Sequence, residues 1–189
     1  ILNTALALFS QRGYLGTSMS DIANELGMTK GALYKHYTSK QEILDRITAR
    51  MRELDQERAQ AYQMPDAEPD GFAEAYRNTQ FRHWTEDGFS ARFRKLLTLE
   101  QYRDPAFATL YQNYLASGPV AYMAEIFRTM TDSNESAMQL ALEFYGPIYL
   151  LYSIYDGTED KEAVIQQLQT HIDRFIRRME QSQREEGKA

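Results

Sequence analysis

The sequence predicts an all-α fold, with a three-helix N-terminal domain over residues 1–47, a larger helical domain over residues 48–189 and about nine helices in all. Three observations carry that expectation. Apolar residues recur at intervals of three and four along most of the chain, the period of a helix with one buried face. No segment shows the sustained alternation, β-branched runs or hairpin dipeptides of strands. Side chains able to cap a helix stand just before the apolar runs, and glycine or proline punctuates them.

The elements follow in order. Leu2, Ala5, Leu6 and Phe9 share one face of a first helix, which Gly13 ends. After a short loop over residues 14–17, Ser18 and Asp21 form a Ser-x-x-acid pattern that satisfies free amides at a helix start. Ile22, Ala23 and Leu26 make that helix's apolar face, and Gly27 stops it. Thr29 caps a third, very short helix carrying Leu33. Ser39 and Glu42 form a capping box that opens a fourth helix, with Ile43, Leu44, Ile47, Met51 and Leu54 as its buried stripe to about residue 62. Residues 64–71 are a break by composition. Beyond it, helices are expected over residues 71–86, 89–102, 105–131, 134–156 and 159–183, with Asp104-Pro105 as a cap followed by proline at the first helical position. Gly118-Pro119 and Gly146-Pro147 fall inside helical stretches, where proline removes a backbone hydrogen bond, so kinks or breaks are expected there.

Composition narrows the function. There is no cysteine, which excludes disulfides, thiolate metal sites and cysteine nucleophiles and fits a cytoplasmic location. The three histidines, His36, His83 and His171, lack metal-ligand spacing, and no cofactor is expected. No apolar run approaches the roughly 18–20 residues of a spanning helix, and the N-terminus reads as an amphipathic helix rather than a signal peptide. The chain opens on Ile1, which predicts that it starts inside the natural sequence. The net charge of −6 is unevenly placed: residues 1–40 carry +2, so the other 149 carry −8. Three of the four cations in that first stretch, Lys30, Lys35 and Lys40, fall within eleven residues, and local charge, not the total, sets attraction to phosphate.

Residues 18–40 hold the sharpest pattern. Two short helices, 19–26 and 30–36, joined by a tight turn at Gly27, match what a helix-turn-helix requires: a second helix that enters the major groove while the first crosses the DNA backbone. Ala23 and Leu26 are apolar where the second helix packs, Leu33 is its buried anchor, and Lys30, Gly31, Ala32 and Lys35 leave a small or cationic outer face.

The run from Leu26 to Leu44, with its Leu33-Tyr34-x-His36-Tyr37 core and Ser39-Lys40-x-x-x-Leu44 continuation, resembles the DNA-binding region of the TetR family of transcriptional regulators. So does its lead-in, Ala5-x-x-Leu8-Phe9-x-x-x-Gly13-Tyr14-x-x-Thr17-Ser18-x-x-x-Ile22-Ala23. The likeness covers about the first 47 residues; the rest matches in kind only, as a helical domain of suitable length. The resemblance implies a non-enzymatic protein that binds a palindromic operator as a homodimer. In that frame Lys30 reaches a base edge or phosphate, Gly31 and Ala32 allow close approach, Tyr34 and His36 touch phosphates, and Lys40 pairs with phosphate. Thr17, Ser18 and Ser20 stand where the crossing helix meets the backbone, and Thr29 and Lys35 complete the candidate set. Tyr37 is expected in the core.

The second half reads as a sensor. Residues 72–155 hold 17 of the 23 aromatics, nine of them tyrosines, and a tyrosine hydroxyl needs a partner when buried. The family resemblance implies a pocket for a small effector of aromatic or amphipathic character among the middle helices, with Trp84, Phe93, Leu97, Tyr111, Tyr114, Tyr122 and Tyr145 as its candidate lining. Glu143 faces either that pocket or solvent and a partner chain. Leu140, Phe144, Ile148 and Leu151 in one helix, and Leu168, Ile172 and Phe175 in the next, form stripes that predict a four-helix dimer interface, unless each stripe packs on its own chain. The fourth helix is expected to link the halves and transmit effector binding. The rival readings are a constitutive or architectural DNA-binding protein with no effector, and a small helical enzyme, which no nucleophile–base set, metal spacing or phosphate loop supports.

Overall fold

The computed structural model describes residues 1–61 and 75–186, all in helices and the turns between them, with no strand among the described residues. The helices are α1 (Leu2–Arg12), α2 (Met19–Glu25), α3 (Lys30–Tyr34) and α4 (Lys40–Ala61), then a π-helical turn (Arg77–Phe81) running into α5 (Arg82–Thr85). They continue with α6 (Gly88–Glu100), α7 (Pro105–Leu115), α8 (Ser117–Phe127), a 3-10 turn (Arg128–Met130), α9 (Asn134–Gly157) and α10 (Lys161–Glu186). The break expected at residues 64–71 and the first residues of the helix expected at 71–86 lie outside the described residues.

The described residues form two compact units, one of residues 1–61 and 87–111, the other of residues 75–86 and 112–186. In the first unit, Ala5, Leu6, Leu8 and Phe9 of α1 are buried together with Ile22 and Ala23 of α2, Leu33 of α3 and Ile43, Leu44, Ile47 and Met51 of α4. Helix α6 packs along α1 and buries Phe93, Leu96 and Leu97. The fourth helix lies wholly in this unit rather than spanning two, and among the described residues the chain passes from one unit to the other at 86/87 and 111/112.

In the second unit, α9 packs against α8 and α10. Phe144 is ringed by Tyr76, Phe127 and Phe175, with centroids 5.5, 6.0 and 5.1 Å away. Tyr152 stacks on Phe81 at 5.3 Å. Phe144, Ile148 and Leu151 of α9, with Leu168, Ile172 and Phe175 of α10, are therefore buried inside a single chain, and Leu140 is half-buried. The stripes expected to meet a partner pack on each other instead. Periodicity shows that a face is buried but not against which chain. The apolar side chains that α9 leaves in solvent are Met138, Leu142, Leu150 and Ile154, on another face.

The two Gly-Pro pairs behave differently. The helix expected over 105–131 breaks at Ala116, whose φ and ψ are −125° and −100°, so Pro119 falls in the first turn of α8, where its missing N–H costs nothing. Around Pro147, α9 continues unbroken. Pro147 and Glu143 are both on the exposed face, so water can take the place of the missing donor at the Glu143 carbonyl.

Gly13 ends α1 with φ 79° and ψ 161°, a region in essence open to glycine alone, and a Cβ there would stand 2.6 Å from Oε1 of Glu100. Gly13→Ala is expected to lower stability by at least about 2 kcal/mol, from backbone strain and collision together. An unchanged urea midpoint would refute this account of the turn.

Candidate nucleic-acid interface

Local chemistry builds the two short helices. The Ser18 hydroxyl accepts from the Asp21 N–H at 3.1 Å, while the Ser18 N–H and hydroxyl donate to Oδ2 of Asp21 at 2.7 and 2.6 Å, a complete capping box. Gly27, at φ 65°, ends α2, and its N–H and that of Met28 donate to the carbonyls of Asn24 and Ala23. Thr29 caps α3 by accepting from the Ala32 N–H at 3.1 Å. Helix α3 has only five residues, too few to persist alone. It stands because Leu33 is fully buried beneath it. Its exposed surface is Thr29, Lys30, Gly31, Tyr34, Lys35 and His36, with Ala32 half-buried and the Lys30 ammonium 5.8 Å from the Tyr34 ring centroid. The sequence-derived recognition residues thus form one continuous face, and nothing stands within 4 Å of where a Cβ on Gly31 would be. Tyr37 is half-buried.

The residues expected at the backbone contact divide. Ser18 is exposed and Ser20 half-buried. Thr17 is buried, and its hydroxyl donates to the Gly13 carbonyl at 3.0 Å, so it shapes the α1–α2 turn. Lys40 is turned the same way. Its ammonium donates to the carbonyls of Tyr14 and Thr17 at 2.6 and 2.8 Å and lies 4.3 Å from the Tyr14 ring centroid. A cation so engaged contributes to any nearby phosphate as a fixed charge rather than a freely reaching arm. Desolvation pushes its pKa down while the Glu100 carboxylate opposes that. At the start of α4, the Ser39 hydroxyl accepts from the Glu42 N–H at 3.0 Å, but the Glu42 carboxylate bonds the N–H and hydroxyl of Thr38 at 2.6 and 2.7 Å, one residue upstream of the expected box.

The sequence reading missed the group that holds this turn. Glu100, at the end of α6, is 1% exposed. Its Oε1 accepts from the Tyr14 N–H at 2.9 Å and from Arg103 at 3.3 Å. The Tyr14 ring packs on Phe9 and Phe107, at 5.2 and 5.4 Å, and its hydroxyl donates to Gln41 at 3.0 Å. Burial, with Asp45 and Asp104 nearby, raises the Tyr14 pKa and keeps that hydroxyl a donor. The signal was available: Phe93, Leu97 and Glu100 fall on one helical face, and a carboxylate on an apolar stripe marks a buried partner.

Of the effector candidates, Phe93, Leu97 and Tyr111 lie buried in the first unit. Trp84, Tyr114 and Tyr145 gather in the second: Trp84 and Tyr114 are 6.3 Å apart, and the Tyr145 hydroxyl donates to the Leu115 carbonyl at 3.0 Å. Tyr122 is 67% exposed on α8 among the described residues. Glu143 is exposed and pairs with Arg178 at 3.0 Å. Among the described residues no group of three or more histidine or acidic side chains is placed to hold a metal ion, and no helix is long and apolar enough to cross a membrane.

A family model described as "Bacterial regulatory proteins, tetR family" matches residues 1–47. Residues 1–47 thus match the N-terminal domain of that family. Similar proteins include the negative regulator of the biofilm operon icaADBC, IcaR, of Staphylococcus epidermidis, 44% identical over 43 residues. The transcriptional regulator AcrR of Shigella flexneri is 45% identical over 47 residues. These alignments span 23% and 25% of this chain and 23% and 22% of the relatives, so less than a quarter of either relative is matched. Over the whole chain the TetR-type fold recurs in a transcriptional regulator of Saccharomonospora viridis solved in complex with choline (TM-score 0.67, 23% identity, 93% of both chains). It recurs also in one from Rhodococcus sp. Rha1 (TM-score 0.63, 16% identity, 96% and 95% of the chains). Both relatives aligned to this N-terminal stretch are HTH-type transcriptional regulators.

Two outcomes are expected of this surface. Lys30→Ala relaxes sequence preference at one operator position, whereas His36→Ala weakens binding alike on all duplexes; titrations on operator and mixed-sequence DNA separate the two. The second concerns pH. The Ser18 hydroxyl and N–H hold Asp21 below the usual carboxylate range, and those of Thr38 do so for Glu42. Their stabilisation is therefore complete above the unfolded-state values and fades as pH falls through the lower folded values. Amide protection factors at the starts of α2 and α4 should fall only in that acid window, and Asp21→Asn should remove the α2 part.

Proposed function

We propose that this protein is a transcriptional regulator that binds a palindromic operator as a homodimer and releases it when a small molecule binds. The observation that carries the reading is the exposed face of α3, polar and cationic over a fully buried Leu33 anchor. In this reading residues 1–47 contact DNA and residues 48–189 carry sensing and self-association, in the cytoplasm where the operator lies. A two-fold dimer sets two such helices one DNA turn apart. Repression accords with the negative regulator among the similar proteins.

The second copy is expected on the outer face of α9. Met138, Leu142, Leu150 and Ile154 recur there at helical spacing, with Gly146 between, and Leu150 is 58% exposed. Removing such a stripe from water gains about 25 cal/mol for each Å² buried. This assignment replaces the stripes that the single chain already covers.

The effector would lie among the aromatics of the second unit, around Trp84, Tyr114 and Tyr145. An aromatic or amphipathic molecule suits that lining, and tyrosine and tryptophan faces also attract organic cations. Of the proteins with this fold, one was solved with choline and another is named a flavonoid-responsive regulator. Effector binding acts only if it favours one arrangement of the recognition helices. The Glu100–Tyr14 hydrogen bond supplies a route, because any movement of α6 pulls on the turn ahead of α2.

Selection from a random-sequence DNA pool should return a site with two-fold symmetry, and a pool that enriches nothing would sink the reading. Leu142→Glu combined with Leu150→Glu should convert a dimer to a monomer of unchanged helicity and weaken operator binding by at least tenfold, a loss of about 1.4 kcal/mol. Light scattering and anisotropy measure the two effects. A thermal-shift screen with choline and flavonoids, repeated with operator present, separates a sensor from a constitutive DNA-binding protein.

A further inference from the structure

The two most exposed large apolar side chains reported among the described residues are Tyr102 at 91% and Leu15 at 75%. Isolated exposed residues of this kind are ordinary, but these two flank one contact. Leu15 follows Tyr14, whose N–H is bonded to Glu100; Tyr102 lies two residues after Glu100. Between them Arg103 spends only a 3.3 Å contact on Glu100, and more than half of its side chain is open to solvent. Its Nη1 stands 3.2 Å from where a Cβ on Gly13 would be, and Gly13 in turn accepts from Thr17, the residue before the Ser18 cap of α2. One small surface therefore combines an exposed cation, an aromatic hydroxyl and an aliphatic side chain at the N-terminal side of the crossing helix. Arg12 and the fixed charge of Lys40 add to it. Acidic groups also stand near: Glu100 is buried under Arg103, Asp104 accepts from the Ala106 N–H at 2.7 Å at the start of α7, Asp45 acts on Tyr14, and Asp21 bonds Ser18 close to Arg12.

We propose that Arg103 and Tyr102, from the loop between α6 and α7 and outside the 47-residue domain, form an additional contact to the DNA phosphate backbone beside the start of α2. This rests on the operator-binding reading above. In a helix-turn-helix, α2 crosses the backbone, so whatever adjoins its N-terminal turn faces the same strand, along which phosphates recur about every 3.4 Å of axis. The guanidinium fork suits a phosphate, the tyrosine hydroxyl can donate to one, and Leu15 offers apolar area to the sugar. The contact carries no sequence information. It also places a DNA-touching residue three positions after Glu100, so whatever shifts α6 alters a phosphate contact directly.

The test uses the full chain, the operator returned by selection and a mixed-sequence duplex of about three helical turns. Because Arg103→Gln alone strands the Glu100 carboxylate, it is made with Glu100→Gln and compared with Glu100→Gln alone. Tyr102→Glu places a repelling charge on the surface without removing any partner. Both are expected to weaken binding about three- to tenfold on both duplexes and to leave helicity unchanged, and the Arg103 change is expected to lower the salt slope by about one unit. Arg103→Lys should keep the slope. Unchanged affinity and slope in both variants, or a loss confined to the operator, overturns the proposal. If those variants bind like the parent while Lys30→Ala with Lys35→Ala abolishes binding, the backbone contact alone fails. If the parent binds neither duplex, the operator-binding reading fails with it.

Discussion

The Glu100 carboxylate is withdrawn almost completely from water, and a buried charge is tolerable only where donors surround it. One of those donors comes from the turn that opens the helix-turn-helix, the other from the loop after α6. The Tyr14 N–H points at it, Arg103 covers it, and Gly13 has no side chain so that it can fit. Lys40 closes the far side of the same turn by bonding two of its carbonyls. The consequence is a fixed N-terminus for α2, and through α2 a fixed platform for α3. Removing the carboxylate's partners or filling Gly13 would leave a charge in the interior, so the turn and the end of α6 constrain each other.

That constraint matters because α3 cannot hold itself. Five residues make barely one turn, and nucleating an isolated helix is unfavourable. Its persistence rests on three modest contributions: the Thr29 cap, the glycine turn at Gly27 and the burial of Leu33. Each acts from below or from the ends. The outer face is left to Lys30, Gly31, Tyr34, Lys35 and His36, none of which the fold needs for its own packing. A surface free of structural duty can be specialised for a partner, and separating anchor from face is how a very short helix serves recognition.

The second unit follows other physics. Its aromatic side chains pack edge-on around Phe144 and stack at Phe81 and Tyr152, and α9 is apolar on more than one face. One face of α9 is used up against α8 and α10, and another is left in water. An apolar stripe left in solvent is a surface with a use, and here it lies where the sequence-derived stripe does not.

How much of this was legible in the sequence depends on the range of the forces involved. Helix starts at Ser18, Thr29 and Ser39, stops at Gly13 and Gly27, the anchor Leu33 and the composition of the recognition face are set by bonds between residues two to four apart, and all were readable. So was the TetR-type N-terminal domain, whose short-range pattern is dense. Decisions made between distant segments were not readable. Periodicity marked Phe144, Ile148, Leu168 and Ile172 as buried, but the partner was their own chain, because burial leaves the same trace whichever surface provides it. Lys40 read as a group offered to phosphate, yet carbonyls 26 and 23 residues before it engage its ammonium. Glu100 lies 86 residues from the amide it caps, and no local rule connects the two. The sequence determined the helices and the chemistry of the exposed α3 face; only tertiary packing, which brings remote segments into contact and removes charges from water, decided what holds that face in place.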